Sequence, residues 1–155
     1  MKCGGVSNVA AILYRCVAMQ LALIATTGPS FADPLDIVRD WNLLGTFAVN
    51  CARPPAPHNA YASYVQRDAA VFLHRDVDSN QDSLAIVDAS VLADDTISIV
   101  IDFGKTGKRT NILAKDADGR IRAMANHDAK RRFSVRDGVV LSLKRPTPWQ
   151  ERCAP

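Results

Sequence analysis

No apolar run in this chain is long enough to cross a bilayer comfortably as a helix, which takes about 20 residues. The nearest candidate, 16–25, is preceded by Arg15, contains Gln20 and is followed by Gly28 and Pro29. That argues against a helical membrane anchor. No C-x-x-C pair occurs, so the spacing of a redox dithiol or of a zinc site is missing. Glutamate is almost absent: Glu151 stands alone against 15 aspartates. Aspartate favours turns over helices, so the imbalance points away from a helical fold. There is no H-E-x-x-H, no G-x-S-x-G and no S-x-x-K. No catalytic residue, cofactor or metal is expected on that ground.

What is present at the start reads as an export signal over residues 1–32. Lys2 and Arg15 supply positive charge with no acid before Asp33. The apolar 16–25 stretch follows, and then a helix-breaking segment ending Ser30-Phe31-Ala32, a small-residue cleavage pattern. Cys16 follows Tyr14 and Arg15, which is not the small-residue context of a lipidated cysteine. Cleavage after Ala32 leaves 33–155 as one domain, long enough to bury a real core. The expected location is periplasmic or extracellular, with no transmembrane span in the mature chain.

Only Cys51 and Cys153 remain after that cleavage, near the two ends of the mature chain. An oxidising compartment should join them. The bond would close a loop of about 100 residues, worth up to ~4.7 kcal/mol in the chain-entropy model.

The mature charge nearly vanishes, since 17 cations face 16 acids. Its distribution is uneven. Residues 33–103 carry 4 cations and 11 acids, and residues 104–155 carry 13 cations and 5 acids. The expected arrangement is interleaved strands whose charges pair across the surface. The alternative is an acidic face and a basic, anion-binding face. Near-zero net charge argues against nucleic acid as a partner.

The periodicity predicts one short helix and then strands. Asp33 and Pro34 give an N-cap and a proline at the first helical position. Leu35, Val38, Trp41 and Leu44 form its apolar stripe, and Gly45 ends it. From there the period is two. Strands are expected at 46–51, 61–67, 70–75, 84–92, 96–103, 108–115, 120–126, 132–136 and 139–144. Asp116-Ala117-Asp118-Gly119 and Asp137-Gly138 are the strongest turn signals. Residues 52–59 form a proline-rich loop, 76–82 a polar loop, and Pro146 to Trp149 ends regular structure. The fold class is therefore all-β: an antiparallel up-and-down barrel of about 8–9 strands behind one short helix. Ile97, Ile99, Ile101 and Phe103 should face inward with Phe47, Ile121 and Val139. Thr96, Ser98 and Asp102 should face solvent.

Gly45-Thr46-Phe47, entered from a short helix, resembles the lipocalin-like, calycin-type barrels, whose first strand opens on G-x-W. Phe47 stands where that family has tryptophan. The resemblance implies a basic residue late in the chain packed over that aromatic, with Arg136, Lys144 and Arg145 as candidates. It also implies a small hydrophobic ligand in the barrel mouth, or inhibition of a protease by a related small barrel.

Other fragments carry less. Gly104-Lys105-Thr106 lacks the upstream glycine of a phosphate loop, with Ile99 in its place. The acids and amide between 76 and 82 alternate like a calcium loop, but Gln81 replaces the turn glycine and Val87 the final glutamate. His58, His74 and His127 have no metal or triad spacing. The reading is an exported binding module for a small apolar or amphipathic ligand. The alternative is an envelope protein, or inhibitor, that presents loop 53–59 to another protein. An enzyme of unknown class is third; a histidine–carboxylate pair converging in a cleft would favour it.

Overall fold

The computed structural model describes residues 32–154, so the expected export signal lies outside the described residues. Helix α1 spans Pro34–Asp40. The Asp33 carboxylate accepts the Leu35 N–H at 2.9 Å, and Pro34 takes the position where a missing N–H is harmless. The helix is shorter than its predicted stripe. Asn42 turns left-handed at φ 60°, its N–H donates to the Arg39 carbonyl, and the Leu43 N–H reaches back to Val38. That reversal satisfies the last carbonyls and swings Leu43, rather than Leu44, fully into the core.

Eleven strands follow in one curled antiparallel sheet. They are β1 (Gly45–Ala48), β2 (Tyr61–Arg67), β3 (Ala70–Val77), β4 (Asn80–Ala93), β5 (Thr96–Asp102) and β6 (Lys108–Lys115), then β7 (Ile121–Asp128), β8 (Phe133–Arg136), β9 (Val139–Val140), β10 (Arg145–Pro146) and β11 (Glu151–Arg152). The order across the sheet is β10-β9-β8-β7-β6-β5-β4-β3-β2-β1-β11. Tight turns make this meander. Asp68, Asp78 and Asp137 take φ 53°, 59° and 51°, a left-handed conformation that aspartate tolerates better than most residues.

The expectation of a closed barrel of 8–9 strands is corrected to an 11-stranded half-barrel. The sheet does not close because β8 to β10 shrink to four and two residues, and Pro146 and Pro148 have no N–H to extend a ladder. The predicted strand 139–144 stops at Val140, and 141–144 is a turn. Regular structure does not end at Pro146, because Glu151 and Arg152 pair with Ala48 and Phe47. The C-terminal segment spans the gap at one place. Ile121 and Gln150 exchange two backbone hydrogen bonds of 2.9 and 2.8 Å before the chain reaches β1.

One core fills the concave side. Ile97, Ile99 and Ile101 are fully buried with Phe47, and Ile121 nearly so. Leu35, Val38 and Trp41 of the helical segment join the same cluster. Phe103 and Val139 are only partly buried, since each sits near the end of a strand. Thr96, Ser98 and Asp102 lie on the other face, half-covered by cross-strand neighbours.

The cation over Phe47 is Arg152, with its guanidinium 4.7 Å from the ring centroid, rather than Arg136, Lys144 or Arg145. It also donates to the carbonyls of Asn42 and Leu44. Gly45 makes this possible. Its φ is 131°, and a Cβ there would collide with the Arg152 guanidinium.

Candidate functional site

The loop between β1 and β2 is the most heavily tied irregular segment. Asn59 is 7% exposed and organises it. Its Oδ1 accepts the Asn50 N–H at 2.8 Å, and its Nδ2 lies 3.0, 3.0 and 3.1 Å from the carbonyls of Asn50, Arg53 and Pro54. Ala56 and Asn59 exchange backbone hydrogen bonds of 3.3 and 2.8 Å. The Tyr61 hydroxyl sits 3.0 and 2.7 Å from the carbonyls of Cys51 and Arg53. Cys51 is bonded to Cys153 with a Cα–Cα distance of 5.3 Å, which ties the loop base to the far end of the chain. Pro54, Pro55 and Pro57 fix three further φ angles. Nothing in the sequence singles out Asn59, because its partners are backbone atoms whose placement depends on the fold.

Two grooves flank this loop. One of about 540 Å³ is lined by Val49, Arg53, Pro54, Ala56 and His58 among others. The second, about 380 Å³, runs between Pro57 and His58 on one side and Val140, Leu143 and Pro146 on the other. His58 stands exposed on the ridge between them.

The other histidines sit elsewhere. His127 is buried against Phe133, ring centroids 4.9 Å apart. Its Nε2 is 3.2 Å from Arg131 Nη1 and its Nδ1 is 2.9 Å from the Asp128 carbonyl. Arginine can only donate, so Nε2 is placed to accept and Nδ1 to donate, and both ring nitrogens are engaged within the sheet edge rather than turned to a cleft. His74 lies in an in-register row, Thr46–Ser63–His74–Ser83, on the solvent face of β1 to β4. His74 and Asp76 line one cleft of about 460 Å³ with Ser63 and Gln81. They do not form a relay. His74 Nε2 and Asp76 Oδ1 have no hydrogen-bond partner, Asp76 Oδ2 accepts from Gln81, and Ser63 Oγ bonds Thr46 Oγ1 at 2.8 Å.

The segment 76–82 is a hairpin rather than a polar loop. Asp76 pairs with Gln81 and Arg75 with Asp82, so period-two alternation puts the two carboxylates on opposite faces. Gly104–Thr106 is a 3₁₀ turn leading into β6, not the mouth of an α-helix.

Charge does not interleave, contrary to the expectation. Sheet order follows chain order, so the acidic half (β1 to β5) and the basic half (β6 to β10) are spatially contiguous. Every ion pair among the described residues joins partners within one half: Arg39–Asp36 and Arg75–Asp82 in the first, Arg120 with Asp116 and Asp118, and Arg132–Asp128, in the second.

These pairs set the pH response. The Arg75 hydrogen bond holds the Asp82 carboxyl below its ordinary range, and the Arg132 backbone N–H, helped by its guanidinium, does the same for Asp128. Burial pushes the Tyr64 phenol up. A lowered carboxyl stabilises above the unfolded value of about 4 and that contribution is lost as pH falls further. A raised phenol stabilises below about 10 and that contribution is lost above it. Urea titrations should therefore give a flat midpoint from about pH 5 to 9 that falls on both sides. A midpoint changing steeply near pH 7 would contradict these assignments.

Comparison with protein-family models, curated proteins and solved structures gives no match.

Proposed function

We propose that this protein is an exported interaction module that presents loop 53–59 and its flanking grooves to an apolar surface of another envelope protein. One observation carries the reading: the loop is held in a single shape by Asn59, Tyr61, three prolines and the Cys51–Cys153 bond. A segment ordered before it binds loses little conformational entropy on binding. The bond also suits an oxidising compartment, which supports export.

A small apolar or amphipathic ligand is the second reading. The lipocalin-like resemblance supports it through Gly45, Phe47 and the cation stacked over that ring. The concave side is packed with Phe47 and the β5 isoleucines, so such a ligand would sit in the loop grooves, its polar end near Arg53 or Arg145.

Native mass spectrometry of protein purified gently from its own compartment separates the two. The interaction reading predicts the mature chain with a protein partner or alone. A stoichiometric small molecule that survives purification would overturn it in favour of the carrier.

A further inference from the structure

The edge strands β8 to β10 and the turn between β9 and β10 carry more than the wall that Val140, Leu143, Arg145 and Pro146 give to the second groove. Leu141 and Leu143 are 44% and 66% exposed on that turn. Lys144 and Arg145 follow directly and are exposed as well. Residues 129–150 hold six cations and one acid, Asp137. Arg132 pairs with Asp128, and among the described residues none of the other five meets a carboxylate. Arg131 and Arg136 are instead stacked on Phe133, 5.3 and 4.4 Å from its centroid. A stacked guanidinium keeps its N–H edge available to an oxyanion.

We propose that this edge docks on an anionic lipid surface, with Leu141 and Leu143 entering the headgroup layer and Lys144 and Arg145 meeting the lipid phosphates. Charge complementarity selects the partner. The basic half faces an anionic surface while the acidic half points away, so the same segregation attracts and orients the molecule. Exposed leucines directly beside Lys144 and Arg145 suit an interface that is apolar inside and anionic outside. A soluble polyanion would use the cations and leave the leucines without a role. Each cation close to such a surface contributes roughly a fivefold gain in binding.

The acidic half supplies an internal control. Val91 and Leu92 on β4 are 51% and 56% exposed, comparable to the leucine pair, but stand near Asp88, Asp94 and Asp95. The experiment is vesicle co-sedimentation of the oxidised protein. Vesicles containing phosphatidylglycerol should bind it and vesicles of phosphatidylcholine alone should not. Raising salt to about 0.5 M should cut binding more than tenfold, because the screening length falls to a few ångström. Leu141→Asp with Leu143→Asp should lose binding by at least tenfold, and Lys144→Glu with Arg145→Glu likewise. Val91→Asp with Leu92→Asp should bind as the parent does. Circular dichroism melts identify any variant that fails to fold. The replacement Leu143→Trp does not rely on loss of binding, and the emission it adds to that of the parent should shift to the blue only on anionic vesicles. The proposal is overturned if the leucine variants bind like the parent, if the emission added by Leu143→Trp stays that of a water-exposed indole on bound protein, or if polyphosphate in solution binds equally tightly with no dependence on the leucines. Leu143 and Arg145 also line the groove beside Pro57 and His58, whereas Leu141 and Lys144 do not, so Leu141→Asp and Lys144→Glu made singly separate this proposal from the loop reading.

Discussion

Replacing Cys51 and Cys153 together by serine should lower the unfolding free energy by about 2–5 kcal/mol. The bond closes a 102-residue separation, so nearly the whole described chain regains freedom when it is cut. For a domain of this size that corresponds to a drop in melting temperature of roughly 8–20 °C. The loss should not be uniform. Strand β11 pairs with β1 through only two residues, and Cys51 sits in the segment between β1 and β2, so both should loosen first. Thermal melts of the double serine variant and of the wild type with and without reductant check this. A wild type whose melting is indifferent to reductant would show that the bond contributes nothing to holding the two ends together.

Ile99→Ala should be the most damaging single truncation on β5, at about 2–5 kcal/mol. Ile99 has no solvent exposure and lies between Ile97 and Ile101 on the buried face, opposite Ala89 of β4 and Asn111 of β6. The neighbouring elements are already packed against one another, so little can collapse into the space left behind. An apolar dye should bind neither protein strongly. A small stability loss accompanied by altered dye binding would mean that the concave side holds a ligand space, and would favour the carrier.

Much of the architecture was legible because period-two alternation and turn chemistry are local. The bounds of β2 and β6 coincide with the predicted strands, and Asp137-Gly138 makes the tight turn that its sequence announces. The buried set Ile97, Ile99 and Ile101 follows from alternation alone. What was not legible is long-range. Arg152 reaches Phe47 across the whole length of the sheet's connectivity, and no local pattern marks it above Arg136 or Arg145. Strand β11 is two residues long and exists only because β1 offers a free edge. The region 76–82 misleads for another reason. Apart from Val77 its residues are polar, so the alternation is present but nearly invisible in hydropathy, and the left-handed Asp78 turn completes a hairpin there. Charge segregation follows from meander order, which composition does not reveal.

The site was half legible. The proline-rich loop stands out in sequence, whereas the buried amide that shapes it does not. The rigid loop is the centre of the functional account, and site-specific photo-crosslinking in the native cell tests it most directly. A photoreactive residue replaces His58 on the ridge between the grooves, or Val91 on β4 as the control. The account predicts a discrete protein adduct from position 58, none from position 91, and loss of the adduct when Asn59→Ala unties the loop carbonyls. An adduct that persists with Asn59 removed, or that forms equally from position 91, would contradict it.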